Sequence, residues 1–176
     1  MTTKRLLSRQ LDGLEEGERF TSPGRTITEA DVVSFASLTA DWHPQHADAS
    51  WAAGSRFGQR VAHGMLVLSY SVGLMPLDPS RVVALRGVSD VVFKRPVYIG
   101  DTIRVEGRVD GIKSLDHETA LVDMNWKILN QSGEVVVRAK LTVVWRRAEP
   151  SDGAEPEVER PEAAKATEPK LAEVFL

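Results

Sequence analysis

The chain has 176 residues, of which 42% are hydrophobic and 27% charged, with a formal net charge of −3 and no cysteine. That balance is ordinary for a soluble folded chain, and the length holds one domain with a real core, so neither general disorder nor a membrane protein is suggested; the lack of cysteine excludes disulfides and thiolate zinc sites. Residues 147–176 contain eight acidic and four basic residues, a net of −4, which leaves about +1 for residues 1–146; a near-neutral body without a basic block argues against nucleic acid as a partner.

The opening "MTTKRLLSRQLDGLEEGERF" lacks an apolar run of signal-peptide length and meets Glu15, Glu16 and Glu18 early, which predicts a cytoplasmic protein. Next, "TITEADVVSFASLTAD" predicts an amphipathic helix, with Thr28 as N-cap, Asp31 at the capping-box position and Val32, Phe35 and Ala36 along one stripe. It ends just before Asp41. Asp48 is a good N-cap for a second short helix carrying Trp51, Ala52 and Ala53.

Between these helices lies "DWHPQHADAS", residues 41–50, holding two of the chain's four histidines. Asp41, His43, His46 and Asp48 are ligand types for zinc or iron, but Pro44 breaks a helix that would align the two histidines, and no second ligand cluster follows. A polar turn bracketed by Asp41 and Asp48 is a second reading. The third is acid/base chemistry: a carboxylate and an imidazole five positions apart on an irregular segment can converge on one water, one taking a proton while the other gives one.

"AHGMLVLSYSVGLMPL", residues 62–77, has no Lys, Arg, Asp or Glu and is apolar on all sides of a helical wheel. It predicts a buried helix, too short for the roughly 20 apolar residues of a bilayer crossing and stopped by Pro76. Gly64 lies at its entry, where unpaired N–H groups and the positive end of the helix dipole point outward and the missing Cβ lets a ligand come close. A tight helix start accounts for Gly64 equally well, and His63 reads as a cap or a core histidine.

The rest of the body predicts sheet. "RVVALRGVSDVVFKRPV" gives a strand with Pro96 at an edge or bulge, and "IGD" at 99–101 turns the chain. "TIRVEGRVD", "ALVDMNWKIL" and "EVVVRAKLTVVW" alternate with period 2, and "NQSG" at 130–133 turns between the last two. These are consecutive antiparallel strands with one apolar face, for which the buried helix is the natural cover. One hydrophobic domain over 1–146 is expected, followed by a Glu-, Pro- and Ala-rich tail, 147–176, whose composition predicts disorder; Leu171, Val174 and Phe175 could dock.

The order of these pieces resembles the MaoC-like dehydratases, the family containing the (R)-specific enoyl-CoA hydratases. The family's hydratase motif is matched in "FASLTADWHPQHADASWAA" by Phe35, Asp41, Pro44, His46 and Asp48, and "FGQRVAHGML" and "FKRPVYIGDTIRV" are similar to its second and third segments. Ala40 stands where Gly is common and His43 where Asn is common. The resemblance implies an α+β hotdog fold, a long helix wrapped by an antiparallel sheet and built as a homodimer. It implies that Asp41 and His46 hold the water that adds to a trans-2-enoyl thioester, that the Gly64 N–H polarises the thioester carbonyl, and that no cofactor or metal is required. His43 and His63 are accessory candidates. The substrate it implies is an acyl-CoA or carrier-protein thioester, with neither nucleic acid nor membrane as partner. A hotdog thioesterase and a non-catalytic acyl-binding subunit are the competing functions. Leu68, Tyr70 and Val72 are expected to line the acyl pocket, and Arg56, Arg60, Lys94 and Arg95 are the cations to weigh for CoA contacts.

Overall fold

The computed structural model describes residues 14–75 and 80–146. The expected stop at Pro76 and the tail with Leu171, Val174 and Phe175 lie outside the described residues. In chain order the elements are β1 (Arg19–Thr21), β2 (Arg25–Thr26), α1 (Glu29–Thr39), α2 (Pro44–Ala47), α3 (Ala49–Ala53), α4 (Gly64–Leu74), β3 (Val82–Phe93), β4 (Thr102–Ser114), β5 (Thr119–Leu129) and β6 (Val135–Arg146). No helix among the described residues is long and apolar enough to cross a membrane.

The strands form an antiparallel sheet ordered β1-β4-β5-β6-β3, with β2 also on β4. Val105 and Val109 on β4, Val122, Met124, Trp126 and Ile128 on β5, and Val137, Ala139, Leu141, Val143 and Trp145 on β6 are buried, the alternation expected of a pleated strand with one face on a core. Leu66, Val67 and Leu68 of α4 lie in the same core. This is the expected α+β hotdog: a helix held in the curve of an antiparallel sheet.

Three local expectations change. The central helix is wrapped on one side only, because Met65, Ser69 and Gly73, one turn apart, form an exposed stripe. Pro44 does not break a helix but starts one: it sits at the first position of α2, where its missing N–H costs nothing. Pro96 lies in the connection after β3 rather than within the strand.

Helix α1 begins as its sequence dictates. Thr28 Oγ1 accepts from Asp31 N–H at 3.2 Å, and Asp31 Oδ2 accepts from Thr28 N–H at 2.8 Å, closing the capping box. The same carboxylate accepts from Tyr70 Oη at 2.7 Å and pairs with Arg25 at 3.1 Å, while the Arg25 guanidinium lies 3.7 Å over the Tyr70 ring. One buried-side acid therefore braces α1, α4 and β2. Burial, the largest influence on Asp31, pushes its pKa up, but the bonds from Tyr70, Thr28 and Arg25 together outweigh it and hold the carboxyl at about 2.

At its other end α1 closes on Ala40, whose φ of 59° and ψ of 18° are left-handed. That conformation crowds a Cβ and is the ordinary place for glycine.

Two outcomes are expected. Ala40→Gly should stabilise the fold by about 1 kcal/mol by relieving the left-handed alanine, net of glycine's chain entropy; an unchanged urea midpoint would count against it. Asp31 has a depressed folded pKa, so its contribution is fully present above pH 3.8, its ordinary value, and is lost as pH falls through about 2. Asp31→Asn should lower stability at pH 7 by about 2 kcal/mol and lose less than the parent between pH 4 and pH 2. Parallel urea titrations across that range test the slope.

Candidate active site

The left-handed turn at Ala40 throws the chain out of α1 and presents Asp41 on an exposed loop, where its Oδ1 accepts a long 3.4 Å bond from His43 N–H. His43 caps α2: its Nδ1 accepts from Gln45 N–H at 3.2 Å. An asparagine carbonyl would make the same capping bond, so the departure from the family pattern keeps the local geometry. Asp48 in turn caps α3, its Oδ1 accepting from Trp51 N–H at 2.9 Å. Of the four residues weighed as metal ligands, His43 and Asp48 are thus helix caps outside the cavity that Asp41 and His46 line.

One turn into α2, His46 is buried, and its Nδ1 lies 2.6 Å from the Val61 carbonyl oxygen. A carbonyl only accepts, so Nδ1 carries the proton, and the Nε2 lone pair accepts from the Gln45 side-chain amide at 3.0 Å. Burial is the largest influence on this imidazole and holds its pKa below the usual 6.5; the Val61 bond and Asp41 act the other way, while His63 and His43 add to the lowering. His46 is therefore a neutral base at neutral pH.

His63 joins these residues from 22 positions beyond Asp41. It stands at the N-cap of α4 and makes no capping bond; instead its Nε2 donates to the Asp41 backbone carbonyl at 3.0 Å. Its ring stacks on His46, centroids 3.8 Å apart and planes 26° apart, with Phe35 packed at 5.1 Å. His63 Nδ1 is buried with no hydrogen-bond partner. The sequence offered His63 as cap or core residue, and it is a core residue that fastens the Asp41 loop.

Next along the chain, Gly64 opens α4. The first helical bond there runs from Val67 N–H to the His63 carbonyl, so the Gly64 N–H has no partner within the helix. The Phe93 ring lies over it so closely that a Cβ on Gly64 would fall 2.7 Å from the ring. A larger residue here would have to push the half-exposed Phe93 ring aside.

Asp41, His46 and Gly64 line one cavity of about 540 Å³, within the usual range for a small-molecule site. Its apolar wall includes Val61, Val67, Val97 and Val137, and Arg56, Lys94 and Arg95 border it. Leu68, Tyr70 and Val72 do not line it. Leu68 is buried in the core, Val72 packs against that core, and Tyr70 is turned to Asp31. The helical period explains this: Val67 carries the one α4 side chain of that central turn that faces the site. Phe93 and Gln45 were not foreseen. Gln45 had a signal in its position beside His46, whereas the contact of Phe93 with Gly64 is purely tertiary.

Asp41, His46 and His63 are the one carboxylate and imidazole trio among the described residues whose ligand atoms lie close together, all within 4.8 Å of one another. Stacked rings carry their lone pairs in nearly parallel planes, and such pairs do not converge on one ion as tetrahedral zinc demands. What the trio offers is proton transfer: a carboxylate beside a neutral imidazole whose Nε2 lone pair, held by the Gln45 amide, can pass to a water that displaces that amide, in a cavity that Gly64 also lines.

A family model described as "MaoC like domain" matches residues 13–130. The chain is 42% identical over 93 residues to protein MaoC of Klebsiella aerogenes, a match covering 52% of this chain and 28% of that protein, so the chain spans little more than a quarter of its length. It is 30% identical over 115 residues to the (R)-specific enoyl-CoA hydratase of Aeromonas caviae, covering 65% of this chain and 83% of that enzyme. Among solved structures, the MaoC-like dehydratase from Rhodospirillum rubrum superposes with a TM-score of 0.73 at 29% identity, over 81% of this chain and all of that one. A matched domain covering most of the folded body, a hotdog sheet and a relative aligned along most of its own length place the chain in the MaoC-like dehydratase family.

Proposed function

We propose that this chain hydrates trans-2-enoyl thioesters reversibly to (R)-3-hydroxyacyl thioesters. The observation that carries the reading is the meeting of the Asp41 carboxylate, the neutral His46 Nε2 and the open Gly64 N–H in one apolar-walled cavity. Water held between Asp41 and His46 gives up a proton to the pair while its oxygen bonds to C3. The C2–C3 π electrons move toward the carbonyl, and the charge that gathers on the thioester oxygen is met by the Gly64 N–H, the kind of donor worth roughly 3 kcal/mol. The proton held by the pair then passes to C2, so water is consumed and the pair returns to its starting state. His63 acts as a positioning residue, since it ties the Asp41 backbone, the His46 ring and the Gly64 turn together.

The protomer leaves open the surfaces a second copy would cover. The edge strand β3 exposes Val83, Leu85, Val88, Val92 and Phe93, and Met65 of α4 is 55% exposed beside the cavity. An apolar edge strand left in water invites pairing. We propose a homodimer joined at this edge, closing the exposed side of α4.

Asp41→Asn and His46→Gln should each cut crotonyl-CoA turnover by about 100-fold to 10,000-fold, and the double variant should be little worse, because the two groups move one proton. His43→Asn should keep most of the activity, since asparagine makes the same cap. Steady-state turnover with circular dichroism checks all four; near-parental turnover in Asp41→Asn would sink the mechanism. Because protonation of His46 removes its lone pair, kcat/KM should hold down to a pH below 6.5 and fall only there. A rate profile that breaks above 6.5 would exclude His46 as the base. For assembly, light scattering at micromolar concentration should return at least twice the chain mass, and Val88→Lys should shift it toward the monomer; a parental monomer would refute the β3 interface.

A further inference from the structure

Four cations lie near the cavity in sequence, and the structure separates them. Arg60 is committed to Glu29 through two parallel bonds of 2.7 and 2.5 Å and does not border the cavity. Arg95 borders it but pairs with Glu134 at 3.3 Å and donates to the Val135 carbonyl at 3.1 Å. Arg56 and Lys94 also border it, and neither has a carboxylate within ion-pair distance among the described residues. The Arg56 guanidinium lies 5.7 Å over the ring of Phe57, a second wall residue, and Lys94 is held through its backbone N–H, 2.8 Å from the Val136 carbonyl.

Their placement gives the cavity a direction. Arg56 and Lys94 are exposed, whereas His46, His63, Val67 and Val137 are buried, so the cations stand where the cavity meets solvent and the two imidazoles lie toward its inner end, with Asp41 reaching them from its exposed loop. The two come from separate segments, the turn after α3 and the residue after β3, yet border one space. Asp41 is the one acid among the lining residues, and it belongs to the reacting end. A ligand matched to this cavity has an uncharged reactive end, an uncharged arm and an anion at the far end.

We propose that Arg56 and Lys94 form an anion subsite for the phosphate at the end of a pantetheine arm, a reading that rests on the thioester hydration proposed above. Guanidinium and ammonium groups bind phosphate through charge-assisted bonds, and a cation without a protein partner pays no cost of breaking an ion pair first. The shared chemistry is a phosphate ester of pantetheine, and both coenzyme A and a carrier protein's prosthetic arm supply it.

The test uses the full chain with paired substrates. Arg56→Ala and Lys94→Ala should each raise KM for crotonyl-CoA about tenfold, with kcat held within about twofold, and leave the kinetics of crotonyl-pantetheine, which has no phosphate, unchanged. Lys127→Ala, on the far face of the sheet, is the control expected to alter neither. Calorimetry with coenzyme A, 4′-phosphopantetheine and pantetheine reads the subsite without turnover. Phosphopantetheine binding as tightly as coenzyme A would locate the contact at the phosphate common to both sources; coenzyme A alone binding tightly would place it at the nucleotide phosphates and overturn the proposal. Pantetheine binding as tightly as coenzyme A, or variants that weaken crotonyl-pantetheine to the same degree, would overturn the proposal. Arg56-dependent binding of coenzyme A by a chain that hydrates neither substrate would instead retain the subsite and fail the hydratase reading.

Discussion

The hydrogen bond from His63 Nε2 to the Asp41 carbonyl, 3.0 Å long, joins two stretches of chain 22 positions apart, and the geometry of the site hangs on it. Asp41 sits on an exposed loop where its own carboxylate makes only a long contact with the backbone, so little else fixes it against the body of the protein. His63 is nearly inaccessible, precedes Gly64 directly and stacks on His46. A single ring therefore sets the separation of carboxylate, imidazole and backbone donor. In the proposed hydration, a displacement of one ångström among such groups would cost about 100-fold in rate, a loss against which a rigid strut offsets the cost of an unpartnered buried Nδ1.

The same economy of anchors appears at the next level. His46 hangs from the Val61 carbonyl, and Val61 is bound on both sides, its N–H to the Gln45 carbonyl and its backbone bridged to Tyr98. The dyad helix α2 is thus stitched to the segment before α4 and to the chain entering β4. On the far side of α1, Asp31 binds Tyr70 of α4, so the helix that launches the Asp41 loop is fastened at its start as well. The sheet does no chemistry. It holds α4 in one orientation, and α4 holds the open end of its backbone toward the cavity.

Wrapping the helix on one side only has a consequence for function. The exposed Met65 stripe and the apolar β3 edge adjoin the cavity through Met65 and Phe93, which line it and are also accessible. The left-handed Asp90 and the register shifts along β3 bend this edge strand away from regular pairing with β6. A second copy seated there would exclude water from the reacting end and deepen the cavity, so assembly and catalysis would depend on one surface.

Local rules carried much of this protein in plain view. The period-2 runs gave β4, β5 and β6, the Thr28 and Asp31 pair capped α1 as written, and Asp48 capped α3, because each depends on neighbours within a few residues. The Asp41 and His46 pair was legible through its motif, and both line the cavity together with Gly64. Other features came only from tertiary contact. Tyr70 turned from the expected pocket to Asp31, 39 positions away, and Phe93 closed over Gly64, since neither helical phase nor strand alternation says which distant group meets a face. The sorting of the cations was equally invisible: Arg60 is spent on Glu29, 31 positions earlier, while Arg56, four residues before it, has no carboxylate in ion-pair distance among the described residues. Sequence determines which side chains are offered, through local backbone preference and periodicity; which of them are consumed by one another is decided only when the fold brings distant segments together.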